Sequence, residues 1–389
     1  MFDTDGHAVN SAVNILLAPD KFRGSLTARQ VCNAMTDGIR LADPSAHVVA
    51  LPAADGGEGT ARCLTEATNG IWHTATVSDP LGRDIQAGFG ISGDGTTAFI
   101  ELAQASGLAL LSAGERNPLK TSTFGTGQLI RAALSRGVGR LVLGVGGSAT
   151  TDAGTGLAAA PGWQFLDAAG QSFVPTGETL IHIARIVPPD HQIQLSVRVE
   201  VACDVANPLF GPDGAAFVYG PQKGATPEAV RLLDIGLRHI ATLVQAQLGL
   251  DLAGVAGAGA AGGAGFGAMA FFGATLRPGV DLMLDRIGFD AHLARADLVL
   301  TGEGKLDGQT MQGKLVNGVC RRAGGAGVPV VAICGTLELE PAQIQALGLT
   351  AAFSVMNRPQ SLDEAVVGAY QAVVWATFNA INLLKIERR

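Results

Sequence analysis

Apolar residues recur along this chain in three rhythms, and each rhythm predicts a different element. At the start, NILLAP (Asn14 to Pro19) is a short unbroken apolar run of the kind a strand buried on both faces carries. Thr27 to Leu41 follows with apolar positions at helical spacing behind a Thr that can cap them, and HVVALP (His47 to Pro52) reads as the next strand. The far end repeats this βαβ rhythm, with DLVLTG (Asp297 to Gly302), a helix near Met311 to Ala323, VPVVAICG (Val328 to Gly335), a helix from Pro341, AAFSV, and a last helix from Leu362.

The middle alternates instead. Thr74 to Leu102 switches between apolar and polar residues across turn signals, the pattern of antiparallel hairpins, and QLSVRVEVACDV (Gln194 to Val205) is a further strand of that kind. Thr121 to Arg136 has helical periodicity and feeds a buried strand at Leu141 to Val145, which suggests a return to the parallel part. The expectation is therefore an α/β protein with a discontinuous, parallel, doubly wound domain of the Rossmann/flavodoxin-like kind. That domain would comprise 1–74, 118–164 and 283–389, with a second α/β domain of 75–117 and 165–282 inserted into it.

One stretch poses a sharper question. In LVLGVGGSATTDAGTGLAAA (Leu141 to Ala160) a strand-like run and a helix-like run enclose glycines and hydroxyls. Backbone N–H groups and the helix dipole at such a junction suit an anion, yet the same glycines could serve only a tight, buried turn. Four hydrogen-bonding side chains within five residues, Ser148, Thr150, Thr151 and Asp152, exceed what a cap requires, which favours phosphate at Gly146, Gly147, Ser148, Thr150 and Thr151.

Composition narrows the class. A chain of 389 residues that is 47% hydrophobic and 16% charged can bury more than one core. Its net charge of −7 offers no basic surface for nucleic acid, so an anionic substrate must meet a few local Lys and Arg. Five scattered cysteines without a CxxC point to free thiols in a reducing compartment and argue against zinc, and the seven histidines show no paired ligand spacing. MFDTDGHAVNSAVN lacks the basic and apolar regions of a signal peptide. No apolar run is long and glycine-free enough to span a membrane, Leu252 to Ala274 coming nearest. The expected location is the cytoplasm; the sequence does not set an oligomeric state.

Two matches to widespread nucleotide motifs are discounted. GAGAAG (Gly257 to Gly262) fits GxGxxG with Asp281 near the distance of a ribose-binding acid, but DLAGVA before it is a poor strand. GQTMQGKL (Gly308 to Leu315) has P-loop spacing but Leu315 where a hydroxyl should meet Mg²⁺. Better candidates stand after expected parallel strands, whose carboxyl ends share one sheet edge. APDKFRGSLTA offers Asp20, Lys21, Arg23 and Ser25; PAADGGEGTA offers Asp55 and Glu58; TGEGKLDGQTMQGK offers Glu303, Lys305 and Asp307. Each could be a solvated turn. Together with the hydroxyl loop they supply carboxylates, lysines and hydroxyls, the groups phosphoryl transfer needs.

In order along the chain, APDKFRGSLTA, PAADGGEGT, GVGGSATTDAGTG, DVANPLFGPDGAAFVYGPQKGA and LVLTGEGKLDGQTMQGK resemble the bacterial type I glycerate kinase family. The resemblance spans essentially the whole chain. It implies ATP- and Mg²⁺-dependent phosphorylation of D-glycerate, usually to 2-phosphoglycerate, in a cleft between two α/β domains. Lys21 and Arg23 stand where the family usually has Ser and Lys, Ala153 where it has Gly, and Pro161 where it commonly has Leu. On this resemblance Arg23 or Lys21 with Ser25 and Asp20 would hold the substrate, Asp55 would accept the hydroxyl proton, and Lys21 would stand with Asp55 and Lys305 among the catalytic groups. Glu303 and Asp307, with Asp152, would hold Mg²⁺, while Lys305 would offset charge on the transferring group. The rival readings are a nucleotide-dependent hydroxyacid oxidoreductase, resting on Gly257 to Gly262, and a non-catalytic module that senses a small acid.

Overall fold

The structure, a computed structural model, describes residues 12–57, 59–189 and 197–385. The leader reading over the first residues, Glu58 of the DGGEG motif and the first three residues of the expected 194–205 strand fall outside them. The chain divides into two compact units, one made of 1–55 and 283–389 and the other of the continuous segment 56–282.

The first unit opens with β1 (Asn14–Pro19), α1 (Ala28–Ala42) and β2 (His47–Ala50). Helix α1 begins where Thr27 forms a capping box with Gln30, so its first amides are satisfied by its own side chains. The second unit follows with α2 (Thr60–Ala67), β3 (Ile71–Ser78), β4 (Asp84–Ile91), β5 (Thr97–Glu101), α3 (Ala103–Ser106), α4 (Phe124–Leu134), β6 (Arg140–Gly144) and α5 (Thr155–Ala159). Next come a small antiparallel sheet of β7 (Gln164–Leu166), β8 (Ser172–Phe173) and β9 (Arg185–Val187), then β10 (Arg198–Ala202) and α6 (Ala215–Tyr219). The long α7 (Pro227–Leu248), α8 (Ala260–Phe272), β11 (Thr275–Arg277) and α9 (Gly279–Arg286) lead back toward the first unit.

That unit resumes with α10 (Phe289–Leu293), β12 (Leu298–Gly302), β13 (Lys305–Leu306), α11 (Leu315–Ala326), β14 (Val330–Cys334), β15 (Thr336–Leu337), α12 (Pro341–Leu347), β16 (Ala351–Ser354) and α13 (Leu362–Lys385). Its sheet is parallel throughout, in the order β16-β14-β12-β1-β2. Ile15, Leu17, Val331 and Ile333 of the sheet pack with Val31, Met35 and Ile39 of α1 and Val373 and Ile381 of α13. The order turns back between β1 and β12, since β2 lies on one side of β1 and all later strands lie on the other. Such a switch point opens a crevice at the carboxyl ends of the two strands.

The second unit holds a mixed sheet, β11-β10-β6-β5-β4-β3, antiparallel from β3 to β5 and parallel from β5 to β11. The hairpins read between Thr74 and Leu102 are therefore present. The expected boundaries are not: 56–74 and 118–164 lie in this unit, because β6 pairs with β5 on one side and β10 on the other. The insertion is one continuous piece. Leu141, Leu143, Val199 and Val201 bury one face of this sheet with Leu129 and Ala133 of α4. No described helix is long and apolar enough to cross a membrane.

Candidate functional site

In the first unit the carboxyl ends of β1, β2 and β12 carry Asp20, Asp55 and Glu303. A turn closes behind Asp20, with Phe22 and Leu26 paired across Arg23, Gly24 and Ser25. Gly24 has φ +81°, a conformation that costs glycine little, and the turn leaves Arg23 exposed and Ser25 half-buried. Ser25 Oγ donates to the Phe22 carbonyl at 3.1 Å, and Asp20 accepts the Lys21 N–H at 2.6 Å.

Asp20 is buried, 6% exposed, and its carboxyl pKa is pushed up to about 7. Burial is the first cause and the Asp55 charge the second; the Lys21 N–H and side chain oppose them, and Glu303 adds a further push upward. Glu303 is also raised, by burial above all, then by Asp55 and Asp307, against a hydrogen bond from Thr310 and the charge of Lys314. Thr310 Oγ1 donates to Glu303 Oε1 at 2.7 Å, and Lys314 Nζ lies 3.8 Å from Oε2. Neighbouring carboxylates that raise one another's proton affinity form a region short of positive charge.

Glu303 reaches this place because β12 and β14 approach so closely at Gly302 that a Cβ there would collide with the Ile333 carbonyl. Lys305 and Asp307 stand apart from that arrangement. The two-residue ribbon β13–β15 sets Lys305, half exposed, 2.9 Å from Glu338 and 3.6 Å from Asp307, and Asp307 also accepts the Gln309 N–H at 2.9 Å. Lys305 therefore already neutralises two acids. Lys314, to which the sequence reading gave no role, is the lysine that pairs with Glu303. Its one sequence signal is the textual P-loop match, which places a lysine just before α11 without the hydroxyl.

The hydroxyl loop belongs to the second unit, between β6 and α5. Gly146 and Gly147 are exposed; Ser148 is buried at 8%; Thr150, Thr151 and Asp152 are fully buried. Asp152 is enclosed by hydrogen-bond donors of its own unit. Its Oδ2 accepts from the Thr123 N–H at 2.7 Å, Thr123 Oγ1 at 2.8 Å and the Gly156 N–H at 3.3 Å, and Oδ1 from the Gly154 N–H at 3.1 Å. The carboxylate ties the loop to the segment before α4, a structural task beside the metal-holding one expected of it. The same bonds correct the expected backbone cradle, because the amides of Gly154 and Gly156 at the start of α5 are spent on Asp152. Helix α5 itself is only five residues long and adds little dipole.

What the loop offers an anion is side chains. Thr150 Oγ1 and Thr151 Oγ1 are buried with no hydrogen-bond partner. Beside them Lys223, 1% exposed, donates to the Thr150 carbonyl at 2.6 Å. Burial pushes its pKa down to about 7, the Asp152 charge opposing. Sequence reasoning gave Lys223 no role; the signal was a lysine in GPQKGA following a largely apolar stretch. The glycine motif at 257–262 turns out to serve this loop. Gly262 and Gly263 interrupt α8 with positive φ, a Cβ on Gly262 would meet the Thr150 carbonyl, and Ala153 N–H donates to the Gly262 carbonyl at 3.1 Å. The element directly before the motif is the helix α7 and not a strand, and the glycines at 262 and 263 pack backbone against backbone on the 150–153 loop.

Among the described residues no cluster of three or more His, Cys, Asp and Glu is arranged to enclose a metal. The carboxyl-end cluster is instead a partial set, as suits a cation completed by phosphate oxygens and water.

The model of the glycerate kinase family matches residues 15–385. A glycerate kinase of Halalkalibacterium halodurans is 47% identical, covering 90% of this chain and 93% of the relative. A glycerate 2-kinase of Escherichia coli K12 is 41% identical over 97% and 99% of the two chains. A crystal structure of a Salmonella typhimurium LT2 protein assigned as glycerate kinase 2 superposes with a TM-score of 0.90 at 42% identity, covering 97% of this chain and 99% of that one. Five motifs in family order, a matching fold and this identity over nearly the full length place the chain in the glycerate kinase family.

Proposed function

We propose that this kinase moves the γ-phosphoryl group of ATP to the 2-hydroxyl of D-glycerate with Mg²⁺ bound. One observation carries the reading: Asp20 and Glu303, at the carboxyl ends of neighbouring strands, are both held above the usual carboxylate range, by burial first and then by the nearby charge of Asp55. A divalent cation relieves that repulsion. Mg²⁺ takes one or two carboxylates and fills its other positions with phosphate oxygens and water, so Glu303 with Asp20 or Asp55 fits it, and Asp307 reaches it less directly through Lys305. When bound, the ion neutralises charge on the phosphates.

The remaining roles fall to the chain's own groups. Asp20 and Asp55 supply the acceptor for the hydroxyl proton, and an affinity near neutrality suits Asp20 to that task. Lys21, Arg23 and Lys314 face anionic groups. In the second unit the Thr150 and Thr151 hydroxyls, with Lys223 behind them, receive a further anion, a carboxylate or a phosphate. Positioning and electrostatics account for the rate, as is usual in phosphoryl transfer. Free thiols at all five cysteines support a reducing, cytoplasmic setting. The oxidoreductase reading has lost its glycine motif to packing.

The product from D-glycerate and Mg·ATP, followed by ³¹P NMR, tests this. A doublet from a phosphate on a secondary carbon supports the 2-phospho ester, a triplet from a primary carbon gives the 3-phospho ester, and no ester overturns the kinase reading.

A further inference from the structure

A cavity of about 300 Å³ lies in the first unit over the carboxyl ends of β1, β12, β14 and β16 and beside the start of α13. Open parallel sheets bind ligands at this edge. The wall is apolar, formed by Phe22, Val355, Met356, Leu362 and Val366. Met356 is 42% exposed and Leu362 79%, so large apolar side chains here stand in contact with water. A three-carbon acid carrying a carboxylate and two hydroxyls fills little of this space and gains nothing from such a wall. A flat heteroaromatic base does gain from it.

The other end of the cavity is polar, with Arg23, Ser25 and Gly304. Gly304 directly follows Glu303, and Arg23 lies three residues after Asp20, so the polar end of the cavity is built from the same two loops that carry the carboxylates at the β1–β12 switch point. An exposed guanidinium between an apolar pocket and a cation-seeking cluster is well matched to a chain of phosphates.

We propose that this cavity seats the purine nucleoside of the phosphate donor, with Arg23 and Ser25 on its α- and β-phosphates. The inference rests on the kinase reading above and deepens it. It moves Arg23 and Ser25 from the acid, where the sequence reading put them, to the nucleotide. The acid is then left to the other anion-binding groups, and Gln360 at the rim is placed to read the base edge.

Ala365 lines the cavity and is half-buried, so Ala365→Trp sends an indole into the space assigned to the base. The expected result is a KM for ATP raised about tenfold or more, a glycerate KM changed by less than about twofold, and a matching loss of affinity for a fluorescent N-methylanthraniloyl-ADP. Leu362→Asp, at a position exposed enough to leave folding intact, is expected to shift both nucleotide readouts the same way. Circular dichroism identifies which variants are folded. Folded variants that bind the fluorescent nucleotide as the parent does overturn the proposal, and so does a rise confined to the glycerate KM. A parent that binds the nucleotide but transfers nothing to glycerate overturns the kinase reading and leaves the cavity assignment standing.

Discussion

Lys223 Nζ donates to the carbonyl oxygen of Thr150 at 2.6 Å from a position that water scarcely reaches. The bond pins the residue whose hydroxyl, with that of Thr151, has no partner. A buried ammonium thus stands behind two unsatisfied hydroxyls, an arrangement that is costly alone and favourable once an anion arrives. Lys223→Met keeps the length of the side chain and removes its charge. The variant is expected to fold, yet to lose at least about tenfold in kcat/KM for glycerate. Steady-state rates on the folded variant check this; unchanged kinetics would make Lys223 a packing residue.

The same lysine predicts a slope of stability with pH. Its folded pKa, about 7, lies below its unfolded value, so between these the unfolded chain binds more protons. Stability from this group therefore rises as pH climbs above about 7 and falls as pH drops toward 7. Urea midpoints at pH 7 and pH 9 should rise in the parent, and the rise should shrink in Lys223→Met.

Asp152 accepts hydrogen bonds from Ser122, Thr123, Gly154 and Gly156, and an amide in its place turns an acceptor into a donor facing donors. Asp152→Asn is expected to cost about 2–4 kcal/mol of stability, since buried N–H groups lose a charged acceptor. The Mg²⁺ concentration for half-maximal rate should stay where it is. A shift in that concentration without a fall in Tm would put Asp152 in the metal set.

Much of the first unit was legible because its signals are local. NILLAP is apolar without interruption, Thr27 stands as a cap before helical spacing, and the acids follow closely after strands. The sheet that β6 joins was not legible. A buried parallel strand such as LVLGV carries no mark of its neighbours, and only the pairing with β5 and β10 decides it. The loop that follows shows the same limit: hydroxyls suggested an anion, but whether Asp152 faces a cation or its own amides depends on where the Thr123 segment returns. Lys223 lies some 70 residues beyond its partner, and Lys314 sat inside a motif set aside for lacking a hydroxyl. Contacts made by distant segments leave no periodicity to read.

On the proposed role, Asp20 is expected to set the acid limb of activity. Its carboxyl holds a proton up to about pH 7, so as a proton acceptor it becomes competent as pH rises through that value. kcat/KM for glycerate should climb between about pH 6 and pH 8 and then level off, and Asp20→Asn should abolish the climb along with most of the rate. Saturating Mg²⁺ stabilises the ionised carboxylate and should move the climb to lower pH. A limb that persists in Asp20→Asn assigns it to another group.

Glu303 and Asp307 share one loop, and the sequence treated them alike; the structure does not. Glu303 is buried among acids, with Thr310 Oγ1 on one oxygen and Lys314 at 3.8 Å from the other. Asp307 is already served by Lys305 and by the Gln309 amide, and it lies closer to solvent. A cation therefore gains more from Glu303, whose charge is poorly compensated, than from Asp307. Glu303→Gln preserves shape and the acceptor for Thr310 while removing that charge. It should raise the Mg²⁺ concentration for half-maximal rate by about tenfold or more, with Asp307→Asn raising it by less than about threefold. Titrating the rate with Mg²⁺ at saturating ATP and glycerate separates the two variants. If Asp307→Asn shows the larger shift, Lys305 must leave Asp307 on nucleotide binding, and the cation belongs to the exposed end of the loop.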